Sequence, residues 1–380
     1  MASPATSGGG PLVSWVEDGE VVRARWRSGG GAPPPRQVVV VDGSLSADRA
    51  HRLAAAGTAM LWRGDFPAAR RLLTALGARV DRAGGGRAGA TPAEAFHLDR
   101  RRRGRRARLL GLLLVPLGPG HVVPLRRAPD ARQACQEVYG PADGPSVVSL
   151  RDLLGVISAH EWRRRGIAVP GLAARIHPHH GVFPPVRHEY VDLVAGTPLP
   201  SRLRAFDIGT GTGVLAAVLA RRGVASVVAT DRDERALRCA RDNLDRLGLG
   251  DRVDLVRADL FPAGRAPLVV CNPPWLPARP ASPLDHAVYD PGGRVLRAFL
   301  DRLGRHLTPG GEGWLVLSDL AEHLGLRTRA DLLAAVHASG LRVLGRADTR
   351  PRHPRAADRD DPLHAARAAE VTSLWRLGAR

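Results

Sequence analysis

Asn272-Pro273-Pro274-Trp275 is the group of residues in this chain best suited to chemistry. It follows an apolar run, Pro267-Leu268-Val269-Val270-Cys271, that reads as a buried strand. Two prolines directly after a strand stop it, since proline has a fixed φ and no N–H for the ladder. Asn272 is therefore expected at a strand end, with its amide aimed above the sheet. An acceptor oxygen, a rigid diproline and a large aromatic suit a flat group that carries an amino nitrogen. Trp275 can stack on the planar group, face a developing positive charge, or simply pack at the strand end.

A second constellation lies upstream, where an apolar stretch runs into Asp207-Ile208-Gly209-Thr210-Gly211-Thr212-Gly213. Glycines at 209, 211 and 213 let a backbone loop approach a ligand closely and turn sharply into a helix. Asp207 sits where it can accept from an ammonium group or from loop N–H groups. Asp231 follows the next apolar run and can accept from both hydroxyls of a ribose. Asp259 follows the third and can accept from an adenine amino group. Three acids at successive strand ends fit a nucleoside that carries an amino-acid cation. A dinucleotide fold would want G-x-G-x-x-G, with glycine at Val214, whereas the spacing here is G-x-G-x-G. If the acids bind no ligand, their role is helix capping.

These residues need a scaffold, and the pattern around them is a regular alternation. Strands are expected at Arg204–Ile208, Ser226–Thr230, Val253–Arg257, Leu268–Cys271, Gly313–Ser318, Leu341–Ala347 and Val371–Leu377. Helices fall between them at 214–222, 235–247, 295–306 and 330–339, with a turn at Pro309-Gly310-Gly311. Strand–helix alternation of this kind means a parallel, doubly wound α/β sheet that binds ligands at the carboxyl ends of its strands. No full helical crossover separates the last two strands, so they are expected as an antiparallel edge. Before this region, strands at 37–41 and 58–62 and helices at 46–56 and 66–76 suggest a smaller α/β domain. Further helices are expected from about Pro92 and over Val147–Arg165. Gly84-Gly85-Gly86 reads as a flexible break, and residues 1–35 as a flexible tail.

The bulk composition narrows the partners. The chain has 380 residues and a formal charge of +19, with all 56 basic residues arginine. Residues 1–200 carry 28 Arg against 16 acids, so the excess sits away from the glycine loop. Such a surface favours polyanions such as RNA, or is simply solvated. The densest run is Arg100-Arg101-Arg102-Arg103-Gly104-Arg105-Arg106-Ala107-Arg108. Three cysteines far apart give neither a disulfide framework nor zinc spacing and fit a reducing cytoplasm. The longest apolar run, Leu109–Leu117, is too short to span a bilayer, and no signal peptide is evident. His177-Pro178-His179-His180 lacks nearby Cys, Asp or Glu at ligand spacing, so no metal is expected there. The segment reads instead as a hinge or lid.

Together, Asp207–Gly213, Asp231, Asp259 and Val269–Trp275 resemble the class I S-adenosylmethionine-dependent N-methyltransferases. Within these, the likeness is to the "small domain" group, which includes glutamine-N5 methyltransferases of translation proteins and guanine-N2 methyltransferases of ribosomal RNA. The resemblance implies a Rossmann-like seven-stranded sheet over residues 171–380 and S-adenosyl-L-methionine as cofactor. It implies that Gly209, Gly211 and Gly213 line the methionine part, that Asp231 holds the ribose and Asp259 the adenine. Asn272 and Pro273 would orient the acceptor nitrogen, with Pro274 and Trp275 completing the site. The acceptor would be a protein glutamine side chain, on a translation factor or ribosomal protein, or else an RNA or DNA base. A non-catalytic cofactor- or RNA-binding module is the third reading. The glutamine-modifying enzymes usually carry tyrosine where Trp275 stands, and an arginine in a proline-rich segment similar to Phe183–Tyr190. Residues 36–170 rest on no nameable motif and are assigned to an accessory α/β domain for substrate recognition.

Overall fold

A computed structural model describes residues 10–84, 89–142, 144–282, 284–352 and 358–380. The chain divides into two compact units. One takes the described residues up to 84 together with 98–161; the other takes 89–97 and 162 onward.

The first unit is a six-stranded mixed sheet. Its strands are β1 (Leu12–Glu17), β2 (Glu20–Arg27), β3 (Gln37–Val41), β4 (Thr58–Trp62), β5 (Leu113–Leu117) and β6 (Ser146–Ser149), in the order β1-β2-β6-β5-β4-β3. Helices Ala47–Ala55 and Phe66–Ala83 begin at side-chain caps, Ser46 and Asp65. Their apolar faces close a core around Met60, Trp62, Leu76 and Leu113.

Two expectations fail in this unit. Residues 12–27, taken as part of a loose tail, form the β1–β2 hairpin. Its turn residues Asp18 and Gly19 both have positive φ, 52° and 83°, as a tight hairpin turn requires. Val13, Trp15, Ala24 and Trp26 bury one face of it. Residues 1–9 of that expected tail lie outside the described residues, as do Gly85 and Gly86 of the expected break. The helix expected over Val147–Arg165 begins only at Leu150. Val147 and Val148 are instead in β6, each packed into a different core on opposite faces of the sheet. β-Branched residues buried on both sides favour a strand. The arginine run lies on helix Pro92–Leu110. There Arg103 pairs with Asp99 and Arg106 with Asp81, both arginines being largely exposed, and such surface pairs contribute little.

The second unit opens with a short hairpin, β7 (Ile167–Val169) and β8 (Ala174–Ile176). It continues with a seven-stranded sheet: β9 (Arg204–Ile208), β10 (Ser226–Asp231), β11 (Val253–Arg257), β12 (Ala266–Cys271), β13 (Leu307–Ser318), β14 (Leu341–Thr349) and β15 (Thr372–Ala379). The order is β11-β10-β9-β12-β13-β15-β14. The first five strands are parallel, and β15 inserts antiparallel between β13 and the edge strand β14. The expected doubly wound α/β sheet with an antiparallel edge is therefore present. Pro309-Gly310-Gly311, expected as a turn before the fifth strand, lies within β13 as a bulge. The pairing with β12 jumps there from Ala266↔Leu307 to Leu268↔Glu312, and Gly310 has φ 70°.

Burial shows why the sheet is covered on both faces. Ala205, Leu268, Val270 and Trp314 join one core with helix Val214–Arg221. Their neighbours Phe206, Val269, Cys271 and Leu315 join another with helix Arg294–His306. Successive side chains point to opposite faces, so uninterrupted apolar runs are what a doubly covered parallel strand demands. Among the described residues, no helix is long and apolar enough to cross a membrane.

Candidate functional site

The sheet register gathers the motif residues at one edge. Val270 pairs with Asp207 and Cys271 with Ile208, so the chain leaves β12 at Asn272 beside the point where β9 gives way to Gly209. On the other side Thr230 pairs with Ile208, which brings Asp231 to the same edge. Strand order reverses between β10 and β12 around β9, and this is where open α/β sheets bind ligands.

Asp207 lies on the same face as helix Val214–Arg221 and is 1% exposed. One carboxylate oxygen accepts from the Thr210 hydroxyl at 2.6 Å and from the Ala216 N–H at 3.0 Å. Of its two expected partners, the ammonium or the loop, the loop is the one on view. Burial raises its pKa from 3.8 to about 6; the two hydrogen bonds oppose that shift and the Asp231 charge adds to it. The sign follows from linkage. A folded pKa above the unfolded value means the stability it contributes is full below about pH 4. It is lost as pH rises through about 6, at a cost of about 3 kcal/mol at neutrality. Asp207→Asn should therefore gain thermal stability relative to the parent between pH 4 and 7. Parallel melting curves of the two proteins over that range would show the carboxyl to be unperturbed.

The glycines divide by what surrounds them. All three have left-handed φ: 72° at Gly209, 56° at Gly211 and 80° at Gly213. A Cβ on Gly209 or Gly211 would meet nothing within 4 Å. One on Gly213 would meet Ala240 Cβ at 3.1 Å and Cα at 3.2 Å. Gly213 thus permits close helix packing, while the other two leave open space over the loop. Asp231 holds that loop in place, accepting from Gly211 N–H at 3.1 Å and Asp233 N–H at 2.9 Å. Each oxygen keeps a second lone pair for a ligand hydroxyl. Burial raises the Asp231 pKa, opposed by the same two bonds. Open space above two glycines, with the Asp231 carboxylate beside it, leaves room for a ligand that carries hydroxyl groups.

Asp259 is the acid least tied to the others. It lies two residues beyond the end of β11, exposed, and its carbonyl accepts from Arg302 at 3.2 Å. The next residue, Leu260, holds φ 77°, unusual for a branched side chain. Its carbonyl is gripped by the buried Thr230 hydroxyl at 2.5 Å. The turn carrying Asp259 is therefore shaped from β10.

At the far end of the site, Trp275 Nε1 donates to Asn272 Oδ1 at 2.9 Å. An indole nitrogen can only donate, so this contact identifies the oxygen end of the Asn272 amide. One Oδ1 lone pair is thus used within the protein and the other remains. Pro273 is buried and Pro274 half-buried. Cys271 is buried, and burial pushes its thiol pKa well up. Cys239 is pushed up to about 12 for the same reason. Neither is poised as a nucleophile.

Asn243 escaped sequence reasoning and is central here. It is 1% exposed, donates to the Thr212 and Cys239 carbonyls, and accepts from His177 N–H at 2.7 Å. It ties the glycine loop to the histidine segment. That segment, expected as a hinge or lid, is anchored: Val182 packs with Ala236 and Cys239, and His179 contacts Asp242 at 2.8 Å. Among the described residues, no cluster of three or more His, Cys, Asp or Glu is placed to hold a metal ion.

Residues 175–328 match the methyltransferase small domain. The matched segment begins within β8 and takes in every residue of the site described above. A release factor glutamine methyltransferase of Cereibacter sphaeroides is 34% identical to the chain over 160 residues, covering 38% of the chain and 56% of that protein. A ribosomal protein L11 methyltransferase of Pelotomaculum thermopropionicum is 35% identical over 144 residues, covering 37% and 39% respectively. A tRNA1(Val) (adenine(37)-N6)-methyltransferase of Bacteroides fragilis is 40% identical over 89 residues, covering 22% and 38%. The chain spans between about two fifths and just over half the length of these relatives.

Proposed function

We propose that the chain is an S-adenosylmethionine-dependent N-methyltransferase acting on a planar amide nitrogen, a glutamine side chain of a translation protein. The observation that carries this is Asn272. It stands at the end of β12 with its side-chain oxygen oriented, beside a glycine loop framed by Asp207 and Asp231. Gly209, Gly211 and Gly213 would cradle the methionine part, Asp231 the ribose hydroxyls and Asp259 the adenine amino group. When bound, S-adenosylmethionine supplies a methyl group already activated by its sulfonium, so the protein need supply no nucleophile.

The work left to the chain is orientation. An amide nitrogen has its lone pair delocalised. The free lone pair of Asn272 Oδ1 and the Pro273 carbonyl would accept its two N–H bonds and hold it pyramidal. Fixing such a geometry can lower a barrier by up to about 7–11 kcal/mol. Trp275 lies against the sheet end, where its ring can face the planar acceptor. The relatives named for a release factor and for ribosomal protein L11 favour a protein acceptor.

A base acceptor is the second reading. It draws on the relative named for a tRNA adenine and on the arginine excess of the first 200 residues. Label from tritiated S-adenosylmethionine, transferred by the purified chain into a bacterial lysate, separates the two. We expect label that survives nuclease and is lost with protease. The opposite partition would overturn the glutamine reading in favour of a base, whose binding should also weaken steeply with salt.

A further inference from the structure

Trp275 is itself held, and the residues that hold it come from distant parts of the chain. The Arg187 guanidinium lies over the Trp275 ring, 5.7 Å from its centroid. Arg187 Nη2 donates to Glu370 Oε1 at 3.0 Å. Glu370 is 2% exposed, and the fully buried Ser318 hydroxyl donates to the same oxygen at 2.6 Å. Ser318 ends β13 and Glu370 precedes β15, two adjacent strands. The path therefore runs from the sheet through Glu370, Arg187 and the indole to the Asn272 amide.

We propose that Arg187, fixed by Glu370 and Ser318, is a positioning residue that locks Trp275 and thereby the orientation of the Asn272 amide. The inference rests on the reading of Asn272 as the acceptor-orienting group. A primary amide presents an acceptor at one end and two donors at the other. Turned by half a revolution, Asn272 would offer N–H to an acceptor nitrogen that itself carries N–H, and the contact would repel. The donor-only indole prevents that turn, but only while the ring keeps its place. Trp275 is partly exposed, so its packing alone leaves it room to swing. A permanently charged guanidinium held over its face restrains it, and a buried carboxylate in turn holds the guanidinium. Phenylalanine at this position would have no N–H to offer. The lock thus belongs to tryptophan at this position.

The test reads the indole N–H directly and needs no turnover. In the full chain labelled with nitrogen-15 tryptophan, seven indole resonances are expected from the seven tryptophans. Trp275→Phe identifies the one that belongs to Trp275. In the parent that proton should exchange slowly with solvent. Arg187→Ala and Glu370→Gln should each speed its exchange at least tenfold while leaving the Trp15, Trp26 and Trp62 resonances in place. Arg187→Lys, which keeps charge without the planar stack, should fall between. Should Arg187→Ala unfold the chain, the near-isosteric Glu370→Gln carries the same prediction. Unchanged exchange in a folded variant would overturn the lock. A parent that transfers no methyl group would instead defeat the enzymatic reading, so the two failures are distinguishable. In turnover, Arg187→Ala should lower kcat without altering donor affinity, and should add nothing once Trp275→Phe has removed the indole N–H. Additive losses would likewise count against it.

Discussion

Asn272→Ala should lower the rate of methyl transfer by about 10³-fold while leaving S-adenosylmethionine affinity within about twofold of the parent. The reason lies in where the residue stands. It follows β12 beside the loop end of β9, yet its side-chain oxygen bonds Trp275 rather than the glycine loop. Removing it leaves Asp207, Asp231 and the loop untouched. What is lost is an acceptor aimed at the reacting nitrogen, a group whose value is realised as charge develops. Deleting a single preorganised group of this kind typically costs 10²–10³ in kcat. Asn272→Asp is a sharper variant. Its carboxylate can still accept from the indole and from the substrate, so it should retain more activity than alanine. Calorimetric titration of the donor alongside single-turnover rates checks both parts. Equal losses of binding and rate would place Asn272 in the donor site instead.

The glycine loop should respond differently at two neighbouring positions. Gly213→Ala puts a Cβ at 3.1–3.2 Å from Ala240 on a residue with φ 80°. Both the strain and the displaced helix act on the fold, and a left-handed non-glycine residue costs of order 1–3 kcal/mol. For a unit of this size that corresponds to a fall in Tm of roughly 2–10 °C. Gly211→Ala has no neighbour within 4 Å and the mildest of the three φ values. Its methyl group would instead occupy the space left for the ligand. We expect a smaller loss of stability, with donor affinity reduced by about 30-fold or more. Melting curves of the two variants, with and without 1 mM S-adenosylmethionine, distinguish the effects. The ligand should raise the Tm of Gly213→Ala but barely that of Gly211→Ala. The reverse pattern would mean that the open face of the loop does not receive the donor.

The second unit was largely legible because its signals are local. Apolar runs such as Val227–Ala229 and Val269–Cys271 end at an acid, a glycine or a diproline, and each ending marks where a parallel strand meets the site. Even the antiparallel edge followed from the missing crossover before β15. What failed was either masked or non-local. The β1–β2 hairpin carries an Asp18-Gly19 turn between alternating residues, a strong signal, but glycine- and proline-rich flanks at 8–11 and 29–35 hid it. Val147 and Val148 were read as the start of a helix because a helix does follow directly. The Asp207 carboxylate supports the loop, one of its two expected partners, whereas Asp231, expected to face a ribose, also accepts from Gly211 N–H, a contact that spacing does not reveal. Asn243, Arg187 and Glu370 were missed as site residues because their importance depends on contacts made across 66 to 183 residues of sequence. Trp275 was expected to stack on the acceptor, to face its developing charge or to pack at the strand end. That its nitrogen grips Asn272 depends on a side-chain rotamer, which no residue pattern specifies.

The most direct measurement of the central claim is the identity of the methylated atom. The purified chain, a bacterial protein extract and S-adenosylmethionine bearing a deuterated methyl group would be incubated together, digested fully and resolved by mass spectrometry. The account predicts the heavy methyl on the side-chain nitrogen of glutamine, and its absence when Asn272→Ala replaces the parent. Heavy methyl on a carbon, oxygen or sulfur atom, or the same nitrogen methylated equally well by Asn272→Ala, would contradict it.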